Sequence, residues 1–146
     1  MGRTLVLAAA LLGAAVFATG AAADRAYRTE QLELVGVAGA PGGGRVVNIH
    51  TNGPVVYAHE IYTLGHAAPG TYQVYLNLYV TSVNCTGPVI QVPTATIETN
   101  AAGNGQGDAR FTPEDAGDLR GLTFGISWTV VGPATYQSAC TVVTLD

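Results

Sequence analysis

Residues 72–80 read Tyr-Gln-Val-Tyr-Leu-Asn-Leu-Tyr-Val. One face of this stretch would carry Tyr72, Val74, Leu76, Leu78 and Val80, and the other face Gln73, Tyr75, Asn77 and Tyr79. Successive side chains of a β-strand point to opposite faces, so this alternation predicts a half-buried strand. The same period over residues 122–130, with Trp128 on the apolar face, predicts a second such strand whose tryptophan lies in the core.

Shorter alternating segments occupy much of the remaining chain. They cover residues 30–35, 45–51, 55–64, 94–99, 107–112 and 135–145, with Gly, Pro and Asn between them. About eight strands with turns roughly every ten residues are typical of an antiparallel sandwich or barrel. We therefore predict an all-β domain, an antiparallel β-sandwich, with a single helical turn where Thr112 precedes Pro113 and two acids.

The N-terminal segment has the composition of an export signal. Arg3 precedes an uncharged apolar run, and residues 21–23 are the small alanines that signal peptidase needs. The run is shorter than the about 20 residues of a membrane span. We expect residues 1–23 to be a cleaved signal peptide and residues 24–146 to be a single secreted domain without a membrane span, extracellular or wall-associated. An uncleaved anchor is the alternative.

Composition narrows the function classes. The chain has 146 residues, six arginines, no lysine and a formal charge of −4. A phosphate backbone requires a basic surface, so we expect no nucleic-acid partner. Hydrophobic residues make up 48% of the chain, which argues against disorder.

The two cysteines, Cys85 and Cys140, allow one disulfide. Exported proteins form disulfides, so we expect this pair to be joined, and two buried free thiols are the alternative. Closing so long a loop would contribute about 4 kcal/mol. We also expect a bulge or strand end at residues 82–84 to turn Cys85 inward, so that the disulfide is largely buried.

The three histidines are candidate metal ligands. In the hairpin predicted around residues 52–54, His50 lies opposite Val55 and His59 opposite Val46. The two rings would share a face but lie about four residues, roughly 13 Å, apart, which is too far for one ion. The third histidine, His66, falls in a loop before Pro69, from which it could approach either ring. We therefore expect no metal and no other cofactor.

Catalytic constellations are also weak. No serine lies in a Gly-x-Ser-x-Gly motif. Among the carboxylates, Glu114 and Asp115 suit the first turn of the predicted helix. Glu60 falls opposite Arg45 in the predicted hairpin, where a cross-strand ion pair is expected. The sequence thus predicts no catalytic residue and a protein that is not an enzyme.

The most suggestive surface is formed by Tyr75, Asn77 and Tyr79, on the polar face of the first strand. Exposed tyrosines beside amide side chains stack on sugars or bind protein partners. These three residues are the candidate ligand-binding site. The alternative is that a second sheet or a long loop covers them.

Several motifs carry a family resemblance. They are Gly70-Thr-Tyr-Gln-Val-Tyr-Leu76, Cys85, Thr99-Asn-Ala-Ala-Gly-Asn-Gly105, Phe111, Trp128 and Cys140. Over residues 70–146 the chain resembles small secreted immunoglobulin-like sandwiches of actinobacteria, whose role is unassigned. It is more faintly similar to CHRD-type extracellular domains, although their His-x-His element is missing. The resemblance implies an immunoglobulin-like β-sandwich and says nothing about chemistry.

Three functional hypotheses follow. The first is a non-catalytic protein that binds a protein or glycan partner through the tyrosines. The second is a carrier of a small apolar ligand, which predicts a pocket lined by core-face residues such as Leu78 and Phe124. The third and weakest is a metal-dependent or hydrolytic enzyme.

Overall fold

The computed structural model describes residues 27–51, 58–116, 119 and 121–144. The expected signal peptide, residues 1–23, lies outside these ranges, so its cleavage stays a prediction. Within the described ranges, no helix has the length and apolar character needed to cross a membrane.

Nine strands, a 3₁₀ turn at Val37–Gly39 and a helical turn make up the regular structure of the described residues. The strands are β1 (Tyr27–Gly36), β2 (Gly43–Thr51), β3 (Ala58–Gly65), β4 (Thr71–Tyr79), β5 (Ile90–Glu98), β6 (Gly105–Phe111), β7 (Thr123–Val131), β8 (Thr135–Ser138) and β9 (Thr141–Thr144). The helical turn is α1 (Pro113–Ala116), where it was expected, and the Asp115 carboxylate accepts hydrogen bonds from the Thr112 N–H and hydroxyl.

All strands pair antiparallel in one sheet, in the order β5-β4-β7-β8-β1-β2-β3-β6. β9 follows β8 along the same edge of β7. β5 and β6, at the two ends of this order, contact each other, so the sheet forms a nearly closed barrel. The all-β class and the antiparallel pairing are confirmed. An immunoglobulin fold divides its strands between two sheets, and that layering is not confirmed.

The interior of the barrel is filled by alternate residues of the strands. The predicted alternation of β4 is confirmed, because Tyr72, Val74 and Leu76 are buried. On β7 every second residue from Phe124 to Val130 is likewise buried. The two strands pair directly, and Trp128, which is fully buried, lies opposite Leu76.

The register of β2 and β3 corrects the predicted hairpin. Asn48 lies opposite Glu60, whereas Arg45 lies opposite Thr63, so the predicted Glu60–Arg45 ion pair is wrong. Opposite residues of antiparallel strands share a face. The observed partner of Glu60 is three residues away from the predicted one, and a shift by an odd number of residues exchanges the two faces of a strand. The observed register brings the inward side chains of both strands together, including the fully buried Val46 and Tyr62.

The disulfide between Cys85 and Cys140 is confirmed, with 5.8 Å between the two Cα atoms. β4 ends at Tyr79, before residues 82–84 where the strand end was expected. The expected burial of the disulfide is wrong, because Cys85 is only half-buried and Cys140 is exposed. The loop that carries Cys85 lies against Gly125 of β7, whose N–H donates to the Ser82 carbonyl at 2.8 Å.

Candidate functional site

The barrel holds a pocket of about 410 Å³. Its walls are mostly apolar and include Leu76, Leu78, Val92, Phe111, Phe124, Ile126 and Val143. Its polar end is formed by Asn48, His50 and Glu60, which are all buried. Exposed residues, among them Pro93, Arg110 and Asp115, also line it, and they mark its mouth. The pocket therefore combines an apolar body with one buried polar end.

The mouth lies where the barrel fails to close. Near the turn that joins them, β5 and β6 run so close that a side chain at Gly105 would meet the Glu98 carbonyl at 2.5 Å. Farther along, residues 92–94 and 109–111 both line the pocket, and no ladder joins the two strands in the described sheet. Pro93 has no N–H to donate there. The opening thus lies between residues 92–94 of β5 and residues 109–111 of β6.

Three polar residues form a row across neighbouring strands. Glu30 lies opposite Asn48, and Asn48 lies opposite Glu60. The Asn48 Nδ2 donates to Glu30 Oε2 at 3.2 Å. A carboxylate only accepts, so this bond fixes which way the Asn48 amide points. The other amide atom, Asn48 Oδ1, is buried at the pocket and has no hydrogen-bond donor among the described residues.

Glu60 is the buried carboxyl group of the pocket. The Tyr62 hydroxyl and the Trp128 indole N–H, the latter at 2.9 Å, both donate to the same oxygen, Glu60 Oε2. Burial raises the pKa of Glu60 to about 7, against the opposing effect of these two donors. Burial and the nearby Glu60 charge also raise the pKa of Tyr62. The Glu60 carboxyl is therefore poised to change charge near neutral pH.

A β-bulge completes this cluster. Val74 pairs with Ala95 but Tyr75 pairs with Pro93, so Thr94 is the extra residue on β5. The Thr94 hydroxyl lies 2.9 Å from the Tyr62 hydroxyl oxygen. The bulge thus brings Thr94 to the pocket and extends the polar end across the barrel.

Glu60 should make stability pH-dependent. Its folded-state pKa, about 7, exceeds the ordinary value of 4.5, so between these values the folded protein holds a proton that the unfolded chain has lost. This contribution is fully present below about pH 4.5 and is lost as the pH rises through about 7. The unfolding free energy of the unmodified protein should therefore fall between pH 4.5 and pH 8. In Glu60→Gln we expect this fall to be smaller by about 3 kcal/mol, and urea denaturation at the two pH values measures it.

The control for this experiment is Glu98→Gln, which changes an exposed glutamate on β5. The control should reproduce the pH dependence of the unmodified protein. A Glu60→Gln variant with that same pH dependence would contradict the assignment.

The histidines do not come together. His50 points into the barrel, where its Nε2 lies 3.0 Å from Glu30 Oε1. His59 is on the outer face, 3.3 Å from Asp108 Oδ2, so the predicted shared face is wrong. His66 is exposed in the loop after β3. Among the described residues, no three His, Cys, Asp or Glu side chains are grouped as a metal site requires.

The predicted tyrosine site lies on the outer face of β4. Tyr75 and Tyr79 are half-buried there, and Asn77 is buried at 3% exposure. The Asn77 amide donates to Thr129 Oγ1 at 3.0 Å and accepts from Gln91 Nε2 at 2.8 Å. The amide is therefore engaged within the protein, and binding by the two tyrosines stays a prediction.

The sequence reasoning missed the polar end of the pocket. A usable signal was present in β3, because Glu60, Tyr62 and Leu64 have the same parity and therefore share a face. A glutamate that shares a strand face with a tyrosine and a leucine indicates a buried carboxyl group. Trp128 and Thr94 could not be found in this way, since distant strands bring them to the cluster.

In comparisons with known proteins, no family model, no curated protein and no solved structure matches this chain.

Proposed function

We propose that the protein is an exported, non-catalytic carrier that binds a small, mainly apolar ligand in the barrel pocket. The observation that carries this proposal is the pocket of about 410 Å³, with Leu78 and Phe124 among its walls. Small-molecule sites are concave, mostly apolar and about 300–1,000 Å³ in volume, with a few polar groups that orient the ligand. The pocket has each of these properties.

The disulfide supports the exported location, because disulfides persist in oxidising compartments. Secretion itself is tested by the mature N-terminus: protein recovered from the culture medium of its host should begin at Asp24.

A pocket-filling substitution tests the carrier function. Ala109 is half-buried, lines the pocket and lies opposite Glu60. We expect Ala109→Phe to weaken binding of an apolar fluorescent probe by at least about tenfold, because the added ring occupies the volume that the probe needs. Probe titration measures the affinity, and the thermal unfolding temperature verifies that the variant is folded.

The matched control is the double variant Tyr75→Ala and Tyr79→Ala, on the opposite face of the sheet. It should bind the probe as the unmodified protein does. Unchanged binding by folded Ala109→Phe would exclude the pocket as the site. Loss of binding in the double variant would move the site to the outer face.

A second candidate is binding of a protein or glycan partner through Tyr75 and Tyr79. It is favoured by a polar groove of about 220 Å³ on this face, lined by Tyr79, Asn77 and the disulfide. Its test is retention of the protein on insoluble cell wall and polysaccharides. Retention that disappears in the double variant would support this candidate, and free passage through every matrix would remove it.

A further inference from the structure

We infer that the ligand carries a protonated amine, which binds at Asn48 and Glu60 while an apolar body lies against the walls of the pocket. This inference rests on the proposed carrier function and adds the chemical class of the ligand. It follows from the hydrogen-bonding capacity that remains at the polar end once the contacts within the protein are made.

The groups left without a hydrogen-bond partner at the polar end are acceptors, so they can receive donors from a ligand. The nearby protein donors are already engaged, since Asn48 Nδ2 bonds Glu30 while Tyr62 and Trp128 both bond Glu60 Oε2. Two acceptors are left at the pocket. Asn48 Oδ1 has no donor, and none of the described bonds involves Glu60 Oε1. A buried acceptor without a donor destabilises the folded protein, so a ligand that brings donors removes this cost.

An ammonium group suits two acceptors best. It carries three N–H donors and no acceptor, whereas a hydroxyl carries one donor, and a carboxylate has only acceptors. At the buried end a carboxylate would also face Glu60, a group of its own charge, whereas Arg110, the arginine among the lining residues, is exposed at the mouth. The pocket therefore favours an amine over an alcohol and disfavours an acid.

The charges around Glu60 agree with a cationic ligand. Its two donors, Tyr62 and Trp128, are neutral groups. Neighbouring β2 contributes His50, whose Nε2 contacts Glu30 of β1 rather than Glu60. At the mouth, the exposed side chains of Asp115 and Arg110 both line the pocket and carry opposite charges, so Glu60 is the acidic group of the buried end. Among the described residues, Glu60 has no ion-pair partner, so an ammonium group would supply its counter-charge.

The experiment compares three probes with one apolar chain: octylamine, 1-octanol and octanoate. Isothermal titration at pH 8 is expected to give an affinity for octylamine at least about tenfold higher than for octanol, with octanoate weakest. Octylamine is cationic at this pH, since alkylamines ionise near pH 10, as lysine does. Glu60→Gln is expected to bring octylamine and octanol to within about threefold of each other, whereas Glu98→Gln should preserve the gap.

A measurement on the unmodified protein provides a second test that needs no variant. Octylamine should bind more tightly at pH 8 than at pH 5.5, because Glu60 gains its charge over this range, and octanol should not show this gain. If octanol binds as tightly as octylamine at pH 8, the amine inference is overturned and the carrier function stands. If none of the three probes binds, the carrier function itself fails.

Discussion

A Trp128→Ala variant is expected to lose about 3–5 kcal/mol of unfolding free energy. Trp128 is fully buried and is the largest side chain of the interior. Its removal leaves a cavity between β7 and the opposite wall, and neighbouring side chains can only partly fill it. The substitution also removes the indole donor from Glu60 Oε2. Urea denaturation at pH 5 measures the loss while Glu60 is protonated, which limits the contribution of a newly unpaired charge.

Two further variants separate these effects. Val131→Ala, at an exposed position of the same strand, should change the unfolding free energy by less than about 1 kcal/mol. Trp128→Phe keeps most of the packed volume but has no N–H, so it should cost less than alanine and raise the pKa of Glu60 further. A loss below about 1 kcal/mol in Trp128→Ala would contradict the assigned packing.

Removal of the disulfide is expected to cost about 4 kcal/mol. The double variant Cys85→Ala and Cys140→Ala opens a link between residues 55 positions apart in sequence. Because Cys140 is exposed and Cys85 half-buried, few packing contacts are lost. The loss should therefore arise mainly from the greater conformational freedom of the unfolded chain. Urea denaturation with and without reductant measures this contribution.

The unmodified protein under reducing conditions should match the double variant, which should itself be insensitive to reductant. Equal stability of the oxidised and reduced proteins would show that the link contributes nothing. A loss far above 4 kcal/mol would indicate that the loop between Tyr79 and Cys85 packs more extensively than its exposure suggests.

The strands that sequence predicted best are those whose two faces differ. β4 and β7 carry apolar residues on one side and mostly polar residues or small ones on the other, so their inward faces could be identified. β2 has Asn48 and His50 inside and the more apolar Val47 and Ile49 on the other face. Alternation cannot identify which face of such a strand points into the barrel. The predicted register of β2 and β3 was wrong for this reason.

The barrel and its pocket required information beyond periodicity. A strand that faces the core of a sandwich has the same alternation as one that faces the interior of a barrel. The difference lies in long-range pairing, above all in β8 joining β1 to β7. The carrier hypothesis did anticipate a pocket bordered by Leu78 and Phe124. Its polar end was missed because carboxyl groups were assigned to the surface.

The position of β8 has a consequence for biosynthesis. A chain that emerges from the ribosome N-terminus first presents β1 long before β8, although β8 pairs β1 with β7. Until residues 135–138 are available, both strands keep unpaired edges that can associate with other chains. Completion of the barrel must therefore follow synthesis of nearly the whole described chain.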